Sequence, residues 1–188
     1  VDSDGFFLIK LKKTGETNET EQIKWRKHFV MTMHKYSDNV IQEKLKPLAE
    51  EFGIDREVFS NYKFLLKRND IYFTSKEWGD DNLGLFHRVG SKFGIVDKNG
   101  NIVLHSFAAQ ILQNHISKNI YDIQSLDELR LYLMGALINN VQLPHGQYIV
   151  RFNGFVLGTG VIIKAGLKSR YPRSSRTQTI RIKGQKVQ

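Results

Sequence analysis

The sequence has no cysteine among its 188 residues and no long apolar segment. The lack of cysteine excludes disulfide bonds, thiolate metal sites and a cysteine nucleophile. No stretch approaches the roughly 18–20 apolar residues that a membrane-spanning helix requires, and the first residues do not form the apolar core of a secretory signal. We therefore expect a soluble, cytoplasmic protein without a membrane partner.

Groupings of residues that could form a catalytic or metal centre are also scarce. The six histidines are scattered without the spacing of a ligand set, and a zinc site without cysteine needs such a set. The acidic pairs Asp80–Asp81 and Asp127–Glu128 are sequence neighbours, so their side chains diverge and do not form a facing acid/base pair. We expect no metal, no cofactor and no catalytic residue in this chain.

Acidic residues are missing from the last third of the chain. Residues 1–128 contain 18 basic and 19 acidic residues, whereas residues 129–188 contain ten Lys and Arg residues and no acidic residue. A positive field concentrated in one region favours a polyanion, because neutralising phosphates releases condensed counterions. The alternative is a solvated basic tail with no partner. The charge distribution therefore supports nucleic-acid binding as a hypothesis.

The length and composition fit two small globular domains. Hydrophobic residues make up 40% and charged residues 25% of the chain, which is typical of proteins that bury a core. A chain of this length is one large domain or two small ones, and we favour two. We predict an orphan strand and linker at residues 1–20, a mixed α/β domain at 21–118 and a β domain at 119–188.

The first two thirds of the sequence predict helices followed by strands. The apolar run at residues 5–11 is of strand length, and apolar stripes through residues 21–52 predict two helices, the second ending at Gly53. Met33 lies on the first stripe and Val40 on the second. Short strands are predicted at residues 62–66, 70–74 and within 83–96. At Asn99–Gly100, positive φ angles are expected for a tight hairpin turn.

The remaining segments alternate between helix and hairpin signals. Ser106 is a predicted N-cap for a helix over 107–116, with Phe107, Ile111, Leu112 and His115 or Ile116 on its buried face. Ser125 and Glu128 have the spacing of a capping box for a helix that reaches Met134. Strands are then expected on both sides of an Asn153–Gly154 turn, with another at 179–182.

Three segments between residues 125 and 176 resemble PUA domains. They read SLDELRLYLMGALI, HGQYIVRFNGFVLGTGVI and GLKSRYPRSSR, in the order of a helix, a hairpin and a closing segment. The string GFVLGTG with the basic segment after it is most similar to the PUA-like domain at the C-terminus of Sun-family RNA cytosine-5 methyltransferases. The resemblance implies an α+β fold, in which a small mixed α/β domain precedes a PUA-like β pseudobarrel that binds tRNA or rRNA.

Two further segments resemble parts of known RNA-associated proteins. Residues 4–13, DGFFLIKLKK, are similar to the last strand of the catalytic domain in the same methyltransferases. Residues 62–118 resemble the region that precedes the PUA domain in ribosome-biogenesis factors of the Nip type. The chain departs from the methyltransferases because it has no cysteine to attack cytosine, and no Gly-rich turn for S-adenosylmethionine before residue 119. The resemblance therefore implies an RNA-binding segment that is not itself an enzyme.

The C-terminal basic residues are the candidates for RNA contacts. Lys and Arg donate charge-assisted hydrogen bonds to phosphates, and a Gly-rich turn permits close backbone approach to a sugar–phosphate chain. The alternative for the glycines is tight β turns without a ligand. Tyr171 is assigned to base stacking or a sugar contact. The other predicted RNA-binding residues are Arg130, Gly135, Arg151, Gly158, Gly160, Lys164, Lys168, Arg170, Arg173 and Arg176.

Three functions remain open at this point. The chain is either an RNA-binding protein in its own right or the C-terminal RNA-specificity region of a tRNA or rRNA 5-methylcytosine methyltransferase whose catalytic domain lies outside it. In the third alternative it is a protein–protein module of ribosome assembly, whose basic face meets an acidic partner. The possible partners are therefore RNA, a methyltransferase catalytic domain or a ribosome-assembly factor.

The missing nucleophile and cofactor turn lead to a direct test of the chain as given. The purified protein is expected to show no methyl transfer and no binding of S-adenosylmethionine in isothermal titration calorimetry. Stoichiometric binding at micromolar affinity would contradict this expectation.

Overall fold

The computed structural model describes residues 32–79, 83 and 89–177, and within them the fold is α+β. The predicted strands at 5–11 and 179–182 and the predicted helical residues 21–31 lie outside the described residues. Short 3₁₀ helices occur at Arg56–Asn61, Gln113–His115 and Arg173–Ser175. The strands and helices in chain order are β1 (Thr32–Lys35), α1 (Asn39–Phe52), β2 (Tyr62–Lys67), β3 (Asp70–Ser75), β4 (Ser91–Val96), β5 (Ile102–Leu104), α2 (Ser106–Ile111), β6 (Ile120–Asp122), α3 (Leu126–Met134), β7 (Leu137–Asn139), β8 (Gly146–Phe152), β9 (Phe155–Ile163) and β10 (Gly166–Ser169).

The first sheet has the order β1-β2-β3-β4-β5, and every neighbouring pair is antiparallel. Its core is built from α1, α2 and a cluster of phenylalanines. The rings of Phe59, Phe64 and Phe73 each meet Phe93 edge to face, at centroid distances of 6.2, 5.4 and 5.3 Å. The predicted end of α1 is confirmed, because Gly53 adopts a left-handed φ of 60° and its N–H bonds to the carbonyl of Ala49.

Two predictions near α1 are wrong. Met33, placed on a helical stripe, lies in β1 opposite Leu65. Val40, expected to be buried, is 49% exposed. The Asp38 side chain accepts a hydrogen bond from the N–H of Lys35 and thereby supports a turn between β1 and α1. Pairing with β2 therefore overrides a local spacing that also fits a helix.

The prediction for α2 is wrong for its N-cap and for Phe107 and Ile111, whereas Leu112 and Ile116 are buried as predicted. His105 rather than Ser106 is the N-cap, and its Nδ1 accepts from the N–H of Phe107. Phe107 and Ile111 are 44% and 41% exposed, whereas the buried residues of this segment are Ser106, Ala108, Ala109, Leu112 and Ile116. The helix is rotated because the buried Ser106 faces the second sheet.

The second sheet has the order β6-β8-β9-β10-β7, in which only β6 and β8 are parallel. Its own core joins α3 to the inner face of the sheet through Tyr132, Val150, Ile162 and Leu167. The predicted N-cap is confirmed, because the Ser125 hydroxyl accepts from the N–H of Glu128. The carboxylate of Glu128 reaches back to the N–H of Gln124 rather than to Ser125.

The two Asn-Gly turns differ. Asn153 and Gly154 both have positive φ, 49° and 83°, as predicted for the hairpin between β8 and β9. In the hairpin between β4 and β5, only Gly100 has a positive φ. There the carboxylate of Asp97 accepts from the N–H groups of Asn99 and Asn101, and this favours a different turn. The prediction for Asn99 is therefore wrong.

Hydrogen bonds and buried apolar side chains join the two sheets, and we call these contacts the junction. Gln147 of β8 bonds both backbone groups of Leu104 in β5, at 2.9 and 2.7 Å. Ile149 and Val156 of the second sheet are buried in the first core. The proposed boundary between residues 118 and 119 separates the sheets along the chain, and its standing as a domain boundary remains a prediction.

The junction predicts that removing the Gln147 amide lowers stability. In Gln147→Ala, the buried N–H and C=O of Leu104 lose their partner, which costs about 1–3 kcal/mol of unfolding free energy. Urea denaturation followed by circular dichroism measures this change. The matched control Gln142→Ala changes an exposed glutamine and is expected to stay within about 0.5 kcal/mol of the parent. Equal stability of both variants and the parent would show that the junction bond is dispensable.

Candidate functional site

β10 presents a lysine on the outer face of the second sheet. Leu167 and Ser169 are buried, whereas Lys168 between them is exposed. Lys168 lies opposite Val161 of β9, and Thr159, two residues before Val161, shares that face because strand side chains alternate. The Thr159 side chain contacts Ser106. Lys168 is therefore on the face of the sheet that α2 covers in part.

The backbone of Arg170 is fixed on both sides while its side chain is exposed. Its N–H donates to the carbonyl of Thr159 at 3.0 Å. Its carbonyl accepts from the Ser106 hydroxyl at 3.2 Å. The same hydroxyl oxygen accepts from the N–H of Thr159 at 3.1 Å. Arg170 is thus an exposed cation whose position depends on α2.

The ring of Tyr171 is engaged inside the protein. It is half-buried, with its centroid 5.7 Å from that of Tyr132, and its N–H donates to the Ser169 hydroxyl. The phenol of Tyr132 donates to the carbonyl of Thr159, and burial raises the pKa of Tyr132 above its usual value. The structure therefore assigns the Tyr171 ring a packing contact, and its predicted stacking on RNA remains a prediction.

Gly135 lies against the end of the basic segment, which comprises residues 166–176. Gly135 ends α3 with a left-handed φ of 79°. A Cβ at this position would lie 2.2 Å from Nε of Arg176, which donates to the carbonyl of Tyr171. Arg173 is exposed in the 3₁₀ helix. Gly135 therefore makes room for Arg176.

Gly158 and Gly160 are buried within β9 and do not form an exposed turn. A Cβ on Gly158 would lie 2.7 Å from the Ser106 hydroxyl and 2.8 Å from the Tyr132 hydroxyl. A Cβ on Gly160 would lie 2.9 Å from Leu167. The predicted Gly-rich turn is therefore a strand, and the close approach that these glycines permit is to protein atoms.

Ion pairing divides the predicted cations into two groups. Arg151 forms a two-fold hydrogen-bonded pair with Asp122, at 2.8 Å for both bonds, and these bonds raise the pKa of Arg151. Arg130 pairs with Asp127 at 3.2 Å. In the part of the chain that the structure describes, no ion pair engages the exposed Lys164, Lys168, Arg170 or Arg173.

The exposure of two aromatic rings is not predicted by the sequence. Phe107 follows Ser106 directly, and Phe155 at the hairpin after Gly154 is 71% exposed. The helical pattern placed Phe107 in the core, because the pattern does not reveal that Ser106 is the buried residue. For Phe155, the only signal was its position next to a turn.

Within residues 32–79, 83 and 89–177, no three His, Asp or Glu side chains are grouped as a metal site. In the same part of the chain, no helix combines the length and apolarity required to cross a membrane.

The chain is similar to curated bacterial enzymes named ribosomal RNA small subunit methyltransferase F. It is 26% identical over 174 residues to the enzyme of Vibrio vulnificus (strain YJ016) and 27% identical over 177 residues to that of Shewanella oneidensis. The Vibrio atlanticus enzyme is 25% identical over 175 residues. These matches cover 92% of this chain and 35–36% of the relatives, so the chain spans about a third of their length. No family model matches the chain.

Proposed function

We propose that this chain is a non-catalytic region that docks structured RNA, and that the segment from Lys168 to Arg173 carries the contact. The observation that carries the proposal is a set of exposed cations, Lys168, Arg170 and Arg173, for which the described residues supply no ion-pair partner. The sequence after Glu128 adds no acidic residue. Such a surface favours phosphate groups over neutral ligands.

The proposed contacts differ in strength. Lys168 and the guanidinium groups of Arg170 and Arg173 would bind phosphates, since charge-assisted bonds are the stronger class. Lys164 and Arg176 flank them. Arg130 and Arg151 would contribute less, because each already has a carboxylate partner. Phosphate contacts set the orientation of the RNA, whereas its shape and unpaired nucleotides determine the choice of RNA.

The relatives favour ribosomal RNA within this proposal. Their name describes methyltransferases of small-subunit ribosomal RNA, and this chain matches about a third of their length. Small-subunit rRNA is therefore the RNA class that we propose first, with tRNA as the alternative. In this reading the described residues 119–177 form a PUA-like pseudobarrel, in support of which the second sheet combines five strands with α3.

A second candidate function follows from the same matches. The chain would be the RNA-specificity region of an rRNA 5-methylcytosine methyltransferase, in which a catalytic domain outside this sequence supplies the nucleophile and the cofactor site. In both candidate functions the basic segment binds the RNA. A role in ribosome assembly through an acidic protein partner is the remaining alternative.

The proposal predicts a steep dependence of RNA affinity on salt. For a small-subunit rRNA fragment, the log–log slope should be about −0.7 to −0.9 per phosphate contact. The triple variant Lys168→Ala, Arg170→Ala, Arg173→Ala should make that slope shallower by about two to three units, because up to three contacts are lost. Fluorescence anisotropy at several salt concentrations measures it.

The matched control removes three exposed lysines from α1, β2 and the turn after β3. The triple variant Lys46→Ala, Lys67→Ala, Lys76→Ala changes the net charge equally. It is expected to leave the slope within about half a unit of the parent, because net charge alone acts weakly through salt screening. Unchanged binding by the 168–173 variant would remove the reason for assigning RNA to this face.

A further inference from the structure

We propose that the RNA site extends from β10 onto α2, and that the ring of Phe107 stacks on an unpaired base. This inference rests on the proposed function and adds the class of RNA recognised: a structured RNA that presents an unpaired nucleotide next to phosphates held by Lys168 and Arg170. The site would therefore combine residues at β10 of the second sheet with a residue of α2, a helix that packs in the first core.

The hydrogen bonds of Ser106 place Phe107 beside the basic segment. The Ser106 hydroxyl donates to the carbonyl of Arg170 at 3.2 Å, and Phe107 is the next residue in the chain. The N–H of Phe107 bonds to Nδ1 of His105 at 3.3 Å, which fixes its backbone. Arg170 thus takes part in this hydrogen bond, and Phe107 follows the residue that donates it.

The face of the sheet supports the same arrangement. Lys168 lies opposite Val161, on the side of the second sheet where Thr159 meets α2. Lys168 is exposed there, and Phe107 is 44% exposed on the helix. An aromatic ring beside exposed cations matches the chemistry of RNA, in which a flat base adjoins a charged phosphate.

Phe107 fits this role better than the more exposed Phe155. Phe155 lies four residues before Thr159 along β9, a distance of about 13 Å in a strand. Its neighbour Val156 is opposite Arg151, whose charge is paired with Asp122. The cation nearest to Phe155 in this register is therefore already paired, whereas Phe107 follows Ser106, which bonds to Arg170, a cation without an ion-pair partner among the described residues. This difference makes Phe155 the matched control.

The test uses the full chain and two RNA probes of equal phosphate number. One is a stem with an unpaired loop taken from small-subunit rRNA sequence, with 2-aminopurine in the loop, and the other is a fully paired duplex. Phe107→Leu keeps an apolar side chain but loses the aromatic face. It should weaken binding of the loop RNA about 5- to 150-fold, the range for one stacked base, and leave duplex binding within about twofold.

Four further readouts separate stacking from a structural effect. Phe107→Trp should restore loop binding and the quenching of 2-aminopurine, since its ring also stacks. The salt slope of Phe107→Leu should match the parent, because no phosphate contact is lost. Phe155→Leu should bind both probes as the parent does, and all variants should share its unfolding midpoint.

The outcomes distinguish this inference from the proposed function. If Phe107→Leu binds loop RNA like the parent while the 168–173 triple variant loses affinity, the stacking inference is overturned and the RNA site stands. Equal losses for loop and duplex RNA would likewise overturn base stacking. If the triple variant also binds normally, the RNA function fails, and the exposed ring is then free to serve a protein partner.

Discussion

The joining of the two sheets depends on the hydrogen bonds of the Ser106 hydroxyl. This hydroxyl is buried, accepts from the N–H of Thr159 and donates to the carbonyl of Arg170. The contact is possible only because Gly158 has no Cβ, which would lie 2.7 Å from that oxygen. A buried hydroxyl without partners is costly, so the helix, the strand and the basic segment must come together.

The bonds around Ser106 make the basic segment part of a larger packed unit. Gln110 of α2 donates to the carbonyl of Leu157, and Gln147 satisfies both backbone groups of Leu104. Gln147 thereby covers the edge of β5, which would otherwise expose unpaired backbone groups. Because Ile149 and Val156 are buried in the first core, the second sheet on its own would expose apolar surface. Residue 118 therefore separates the two sheets along the chain, but residues from both sides of it share a buried core.

Features specified by neighbouring residues could be predicted from the sequence. The end of α1 at Gly53, the N-cap of α3 at Ser125 and the turn at Asn153–Gly154 each depend on a few adjacent side chains and on φ angles that glycine and asparagine adopt readily. Asn99 shows the limit of that rule. Its φ is negative because the Asp97 carboxylate two residues away bonds its N–H and selects another turn.

Features that depend on distant residues could not be predicted in the same way. The spacing of Phe107 and Ile111 fits a buried helix face, yet Ser106 takes the buried position because its partners are 53 and 64 residues away in the chain. The sequence pattern predicts a ligand contact for the glycines of β9, because a sequence shows the absence of a side chain but not the atoms that fill the space. In the structure that space holds Ser106 and Leu167.

The charged residues show the same difference between what neighbouring residues determine and what distant residues determine. The sequence correctly locates the cationic region, but Arg130 and Arg151 have carboxylate partners in the fold, which the count of charges does not reveal. Arg170 differs in a second respect, because β9 and Ser106 hold its backbone before any ligand arrives. A preorganised cation loses less conformational entropy on binding than one on a mobile tail. For the proposed phosphate contact, the hydrogen bond from Ser106 would therefore hold the Arg170 backbone in place before binding.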